Sequence, residues 1–181
     1  MRIAPANGYW TSGVDLSSLQ LIVGSGTGRT AGGGWIADAA NDINGKSNFG
    51  FTVQNAKTGI KGNSLFIYRV KEGTNEVQYV VKSNSWVGGG LTFNVNADPA
   101  RATFTGKATV QRYVNGVFDS TFNSGNYTFT VDVLDGALKS PQVADGYAIA
   151  LRNSSNTVVR QLGSRTTPLT LGGGNVLVQA K

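Results

Sequence analysis

Two glutamates, eight aspartates and no histidine or cysteine bound the chemistry open to this 181-residue chain. Without imidazole or thiolate it cannot build the usual zinc, haem or iron–sulfur sites, a Ser-His-Asp or Cys-His nucleophile, or a disulfide. Carboxylates are the remaining route to hydrolysis. Glu72 and Glu76 flank one turn, and Asp132 and Asp135 another; a glycosidase needs two such groups held about 5 to 9.5 Å apart. Acids beside turns are commonplace for conformational reasons, so these pairs read as solvated hairpins and the expectation is a chain that is not an enzyme.

Asp38, Asn41, Asp42 and Asn44 precede Gly45 and look like half of an acidic calcium loop, but no bidentate glutamate follows. Calcium at Asp38, Asp42 and Asn44 is thus the one cofactor the sequence admits; otherwise none is expected. Ser25-Gly26-Thr27-Gly28 lacks the Lys-Ser/Thr ending of a phosphate-binding loop and reads as a linker. Trp10, Trp35 and Trp86 all lie close to glycines. An exposed indole on a β surface can stack on a sugar ring, which makes Trp10 and Trp86 candidate glycan contacts. Trp35, beside Ile36, reads instead as a core plug by the burial habits of its type.

Charged residues make up 14% of the chain, against about 25% in an average domain. The formal net charge is +6, but the basic residues are scattered along the sequence with no basic run, so nucleic-acid binding is not expected and the charge reads as solubilising. No apolar stretch of about 18 residues is present, so membrane insertion is not expected. Low charge, absent cysteine and abundant Thr, Asn and Gly point to an extracellular or cell-surface protein. Met1 to Tyr9 lacks the apolar core of an export signal, about 7 to 15 residues long, so that signal is expected outside this chain.

Positioning falls to β-strands, because apolar residues alternate with polar ones over most of the chain. Phe49, Phe51 and Val53 share a face; so do Leu91, Phe93 and Val95; Ala102, Phe104, Gly106, Ala108 and Val110; Tyr127, Phe129, Val131 and Val133; and Tyr147, Ile149 and Leu151. Further strands are expected at 65–70, 77–82, 157–162, 175–179 and 19–23. Gly62-Asn63, Asn115-Gly116, Asp135-Gly136 and the triplets Gly88–Gly90 and Gly172–Gly174 separate these runs as turns or strand entries, and Asn-Gly or Asp-Gly supplies the positive φ of tight hairpins. Gly32–Gly34 is a third such triplet. Asp38–Asp42 reads as a turn. The expected fold is an all-β sandwich, jelly-roll or immunoglobulin-like, of about nine or ten antiparallel strands, each needing to bury one face.

From about Arg29 onward the motif order resembles a Gly-rich C-terminal β domain of large bacterial secreted or surface proteins, the post-COAP type. The resemblance rests on Gly32-Gly33-Gly34-Trp35-Ile36, Lys46-Ser47-Asn48-Phe49-Gly50-Phe51, Ala102-Thr103-Phe104-Thr105-Gly106-Lys107-Ala108-Thr109-Val110, Ser124-Gly125-Asn126-Tyr127-Thr128-Phe129, Asp145-Gly146-Tyr147-Ala148-Ile149-Ala150-Leu151 and Leu171-Gly172-Gly173-Gly174. It implies an extracellular, non-catalytic β module and brings no catalytic motif. Members often carry Arg-Ile-x-Ile where this chain has Tyr147-Ala148-Ile149-Ala150.

Two segments follow: residues 1–28 as an N-terminal arm with an extra strand, and 29–181 as the sandwich. The expected function is structural or adhesive, through contacts with copies of itself, other surface proteins or glycans. Val14, Leu16, Leu19, Leu21 and Val23 alternate ahead of the glycine-rich tether 24–28. Such an arm could add a strand to the open sheet edge of a neighbouring copy and so build a filament. The alternative is a carbohydrate-binding module or a carboxylate-based glycoside hydrolase.

Overall fold

The computed structural model describes residues 28–138 and 141–180, and there the chain is all-β. Its antiparallel strands are β1 (Gly28–Ala37), β2 (Lys46–Ala56), β3 (Gly59–Glu72), β4 (Asn75–Asn94), β5 (Ala100–Val114), β6 (Val117–Phe118), β7 (Tyr127–Asp135), β8 (Gly146–Arg152), β9 (Val158–Leu162) and β10 (Leu169–Ala180). The helical content of the described residues is one 3-10 turn at Gly136–Leu138. The arm proposed at residues 1–28, with Trp10 and the alternating residues Val14 to Val23, lies outside the described residues except for Gly28, which opens β1.

Sequence neighbours pair, in the order β10-β1-β2-β3-β4-β5-β7-β8-β9, with β6 attached to β5. β10 also pairs β8 through Leu169 with Tyr147 and Thr170 with Gly146. One continuous sheet thus turns back on itself, and its two layers enclose the core. Rings meet across the layers: Phe49 of β2 stacks on Tyr147 of β8 with centroids 4.0 Å apart, and Phe51 of β2 lies 5.0 Å from Phe104 of β5. Aromatic pairs of this kind contribute about 0.5–1.5 kcal/mol beyond their buried area.

The alternation seen in the sequence decides which side chains face inward. Phe49, Phe51, Val53, Ala102, Phe104, Ala108, Val110, Phe129, Val131, Val133, Tyr147, Ile149 and Leu151 are all buried. Asn115 and Gly116, both at positive φ, form the two-residue turn between β5 and β6. Four expectations are corrected. The β2–β3 hairpin turns at Lys57-Thr58, because Ala56 pairs Gly59, and Gly62-Asn63 lies inside β3. Val95 falls past the end of β4 and is exposed. Gly88–Gly90 is a bulge inside β4, where the register shifts between Trp86 and Leu91 and Gly89 takes φ +71°; the extra residues bend the strand rather than end it. The other two glycine triplets likewise lie within β1 and β10.

Closure of the sheet depends on two aspartates. Among the described residues, no strand lies beside the edge of β10 that faces away from β1 beyond Thr170. The Val178 N–H donates to Asp135 Oδ2 at 2.8 Å and the Val176 N–H to Asp145 Oδ2 at 2.6 Å. The other oxygens of the same carboxylates accept from Ala137 N–H and Gly136 N–H, at 3.2 and 2.9 Å. Two acids at the β7–β8 connection therefore replace a strand ladder. Each donor left unpaired in such a place costs about 1–3 kcal/mol. Asp135→Ala, which orphans the buried Val178 N–H and releases that of the exposed Ala137, should lower the unfolding free energy by about 1–3 kcal/mol in urea titration. Glu76→Ala, at an exposed position, should stay within about 0.5 kcal/mol of the parent.

Candidate functional site

The acidic loop after β1 is held from all sides. Asp38 accepts from the Ser47 hydroxyl at 2.8 Å, from Asn41 Nδ2 at 3.2 Å and from the guanidinium of Arg160, whose plane also lies 4.6 Å over the Tyr68 ring. Asp42 accepts from Arg69 N–H at 2.7 Å and Asn44 N–H at 2.9 Å. Asp38 and Asp42 are buried and Asn44 is exposed. The structure thus brings both candidate calcium carboxylates together around Ser47, with their oxygens engaged by N–H and O–H donors, an arrangement that pins the loop between β2, β3 and β9. Among the described residues no group of three or more His, Cys, Asp or Glu is placed to hold a metal ion, and no helix is long and apolar enough to cross a membrane.

The glutamates of the β3–β4 hairpin do not face each other as a pair. Glu72 accepts from the Tyr79 hydroxyl at 2.5 Å and from Arg112, which also binds Asp119 at 2.6 Å. The Tyr79 hydrogen bond, aided by Arg112, holds the Glu72 carboxyl below its ordinary range. Asp119 is likewise lowered, first by the Thr121 hydroxyl and then by Arg112. Both acids are fixed as anions, the opposite of what a proton donor to a leaving group needs. Asp132 accepts from the Thr103 hydroxyl at 2.5 Å, and Asp135 serves the seam described above.

The two tryptophans within the described residues, both half-buried, face opposite sides of the sheet. Trp86 pairs with Gly106, which alternates in phase with the core residues Phe104 and Ala108. Its ring meets Phe104 and Phe129 edge-on at 6.1 and 5.9 Å, and its Nε1–H donates to the Gly62 carbonyl at 3.3 Å. Trp35 is not a core plug. Ile36 takes the inward position at 0% exposure, so strand alternation turns Trp35 to the outer face. There its ring lies across β10: a Cβ on Gly172 would stand 2.1 Å from the indole, so only glycine fits beneath it. The Lys46 ammonium sits 5.5 Å from the ring centroid.

The outer face that carries Trp35 also holds a feature that no sequence motif announced. The register sets Gly33 beside Gly50, Gly50 beside Leu65 and Leu65 beside Lys82 in one row across the outer face. Trp35, Asn48 and Ile67 form the row on one side, and Ala31, Thr52 and Asn63 the row on the other. An open trough of about 580 Å³ lies over the β2–β4 end of that row, lined by Gly50, Thr52, Asn63, Leu65 and Lys82 among others, with Gly33 just beyond it on β1. Neither Gly33 nor Gly50 has a positive φ. A Cβ would meet nothing within 4 Å at Gly50, and nothing nearer than 3.6 Å at Gly33. Packing and backbone both permit a side chain at these two positions. Glycine within a strand weakens it, and one use for it is the close approach of a ligand. Sequence reasoning missed the site because its signal, two glycines facing one way on neighbouring strands, exists only once the register is known.

Comparison with known families, with curated proteins and with solved structures finds no match to this chain. The trough therefore has to be interpreted from its own chemistry. Gly50→Thr should raise the unfolding free energy by roughly 0.5–1 kcal/mol in urea titration, since a β-branched residue replaces glycine on an open strand surface.

Proposed function

We propose that this chain is a non-catalytic adhesive module of the extracellular surface, working by non-covalent contact through the outer face of β1 to β4. The observation that carries this is the trough at Gly50, continued on β1 by the open position Gly33, an opening that the fold does not require. Its lining carries the amide of Asn63, the hydroxyl of Thr52 and the ammonium of Lys82, and the Trp35 indole lies on the same outer face, a composition suited to sugar hydroxyls and ring faces. The lowered Glu72 and Asp119 carboxyls and their shared bond to Arg112 support a role without bond cleavage. The motif resemblance to secreted β domains agrees with it. The test is co-sedimentation of the purified chain with a panel of insoluble polysaccharides, alongside an assay for new reducing ends. Retention on at least one of them without cleavage is expected. Cleavage lost in Glu72→Gln would overturn the proposal in favour of a hydrolase.

A second reading, self-assembly by strand addition, is supported by β9. This strand pairs with β8 alone among the described strands, and Val158 and Val159 are both exposed. An unpaired edge is a template for another chain. The segment carrying Val14, Leu16, Leu19, Leu21 and Val23 of a second copy is the proposed added strand. Electron microscopy should then show filaments at high protein concentration. They should disappear on deletion of residues 1–24 and on Val159→Lys; filaments that survive both changes would sink this reading.

A further inference from the structure

The cations that look scattered in the sequence are gathered by the strand register. Arg29 on β1, Lys46 on β2, Lys61, Arg69 and Lys71 on β3, and Lys82 on β4 all alternate outward with the trough residues. One carboxylate, Glu76, shares that face, opposite Lys71 at its far end. Six cations against one anion leave +5 on this face, where the whole chain carries +6. The salt bridges among the described residues are those of Arg112 and Arg160, so none of the six is paired within one. A face bearing this much uncompensated charge around an open trough favours a polyanion.

We infer that the trough binds an acidic polysaccharide, a deduction that rests on the outer face being the contact surface. The chain would cross the strands over Gly33 and Gly50. Lys82 stands at the end of that row, and the other cations are distributed along both flanks. Lys46 and Arg69 lie beyond the Trp35 row, and Arg29 and Lys61 beyond the Thr52 row. Three strand spacings of about 4.8 Å separate β1 from β4, so the path is long enough for a run of sugar units rather than one. The Trp35 indole, laid flat on β10, offers a surface for a ring face once Lys46 turns from it toward an anionic group. Asn48, Thr52 and Asn63 supply both donors and acceptors, as sugar hydroxyls require. A single-stranded nucleic acid fits less well, since it is held by successive aromatic platforms, and the row of residues beside the glycines offers one, Trp35.

Affinity electrophoresis of the full chain in gels containing polygalacturonate, heparin, dextran or oligodeoxythymidylate tests this. Retardation is expected with polygalacturonate or heparin, the stronger of the two telling whether carboxylate or sulfate is preferred, and it should fade as salt screens the charges. The Lys46→Ala, Lys82→Ala double variant should bind about tenfold more weakly. Gly50→Thr should lose binding while melting no lower than the parent, which separates a blocked site from a damaged fold. Equal retardation by dextran, or stronger retardation by oligodeoxythymidylate, would overturn the acidic-polysaccharide inference while leaving the face as the contact surface. Unchanged polysaccharide binding by Gly50→Thr would overturn the contact surface as well, as would binding to none of the four polymers.

Discussion

Two carboxylates standing in for a strand hold the architecture together. The last strand leaves β8 after Thr170 to run beside β1, and its other edge meets no further strand among the described residues. Asp135 and Asp145, on either side of the β7–β8 connection, take up Val176 and Val178, while their second oxygens brace the connection itself. A buried acid is tolerable when hydrogen-bond donors surround it. Here four backbone N–H groups do so, and the exchange joins the start of one layer to the end of the other. Without it the continuous sheet would have an open border along its last strand.

At the opposite end the same logic uses a cation. Arg160 of β9 points inward, lies over Tyr68 and binds Asp38 in the loop after β1. The side chains of Arg160 and Asp38 are 9% and 1% exposed, so removal of either would strand a buried charge. The acidic loop that resembles a cation site in sequence thus holds its cation as an arginine from a strand more than a hundred residues away. The outer face of β1 to β4, by contrast, keeps its cations uncompensated, which is why charge is informative on that face and structural at the ends.

Much of the fold was legible because alternation is local: whether Phe49, Phe104 or Ile149 faces inward follows from its immediate neighbours. What was not legible depended on register. Gly88–Gly90 has the composition of a turn, and only its partner strand, continuous through Gly106 and Phe104, makes it a bulge. Trp35 and Trp86 have similar surroundings in sequence, yet strand alternation at Ile36 turns one outward while pairing with Gly106 turns the other inward. The trough required Gly33 and Gly50 to be adjacent, and the basic face required alignment of residues from 29 to 82. Asp135 and Asp145 looked like ordinary turn acids because the donors they serve lie on β10, some thirty to forty residues further along.

Gly28 and Ala180 are register partners, so the polypeptide enters and leaves the described fold at the same end of one antiparallel pair. Tension transmitted through both ends would pull β1 and β10 apart sideways, rupturing their hydrogen bonds one after another instead of shearing them together. A load carried through one end and the outer face would bypass that weak direction, leaving the pair to resist along its length.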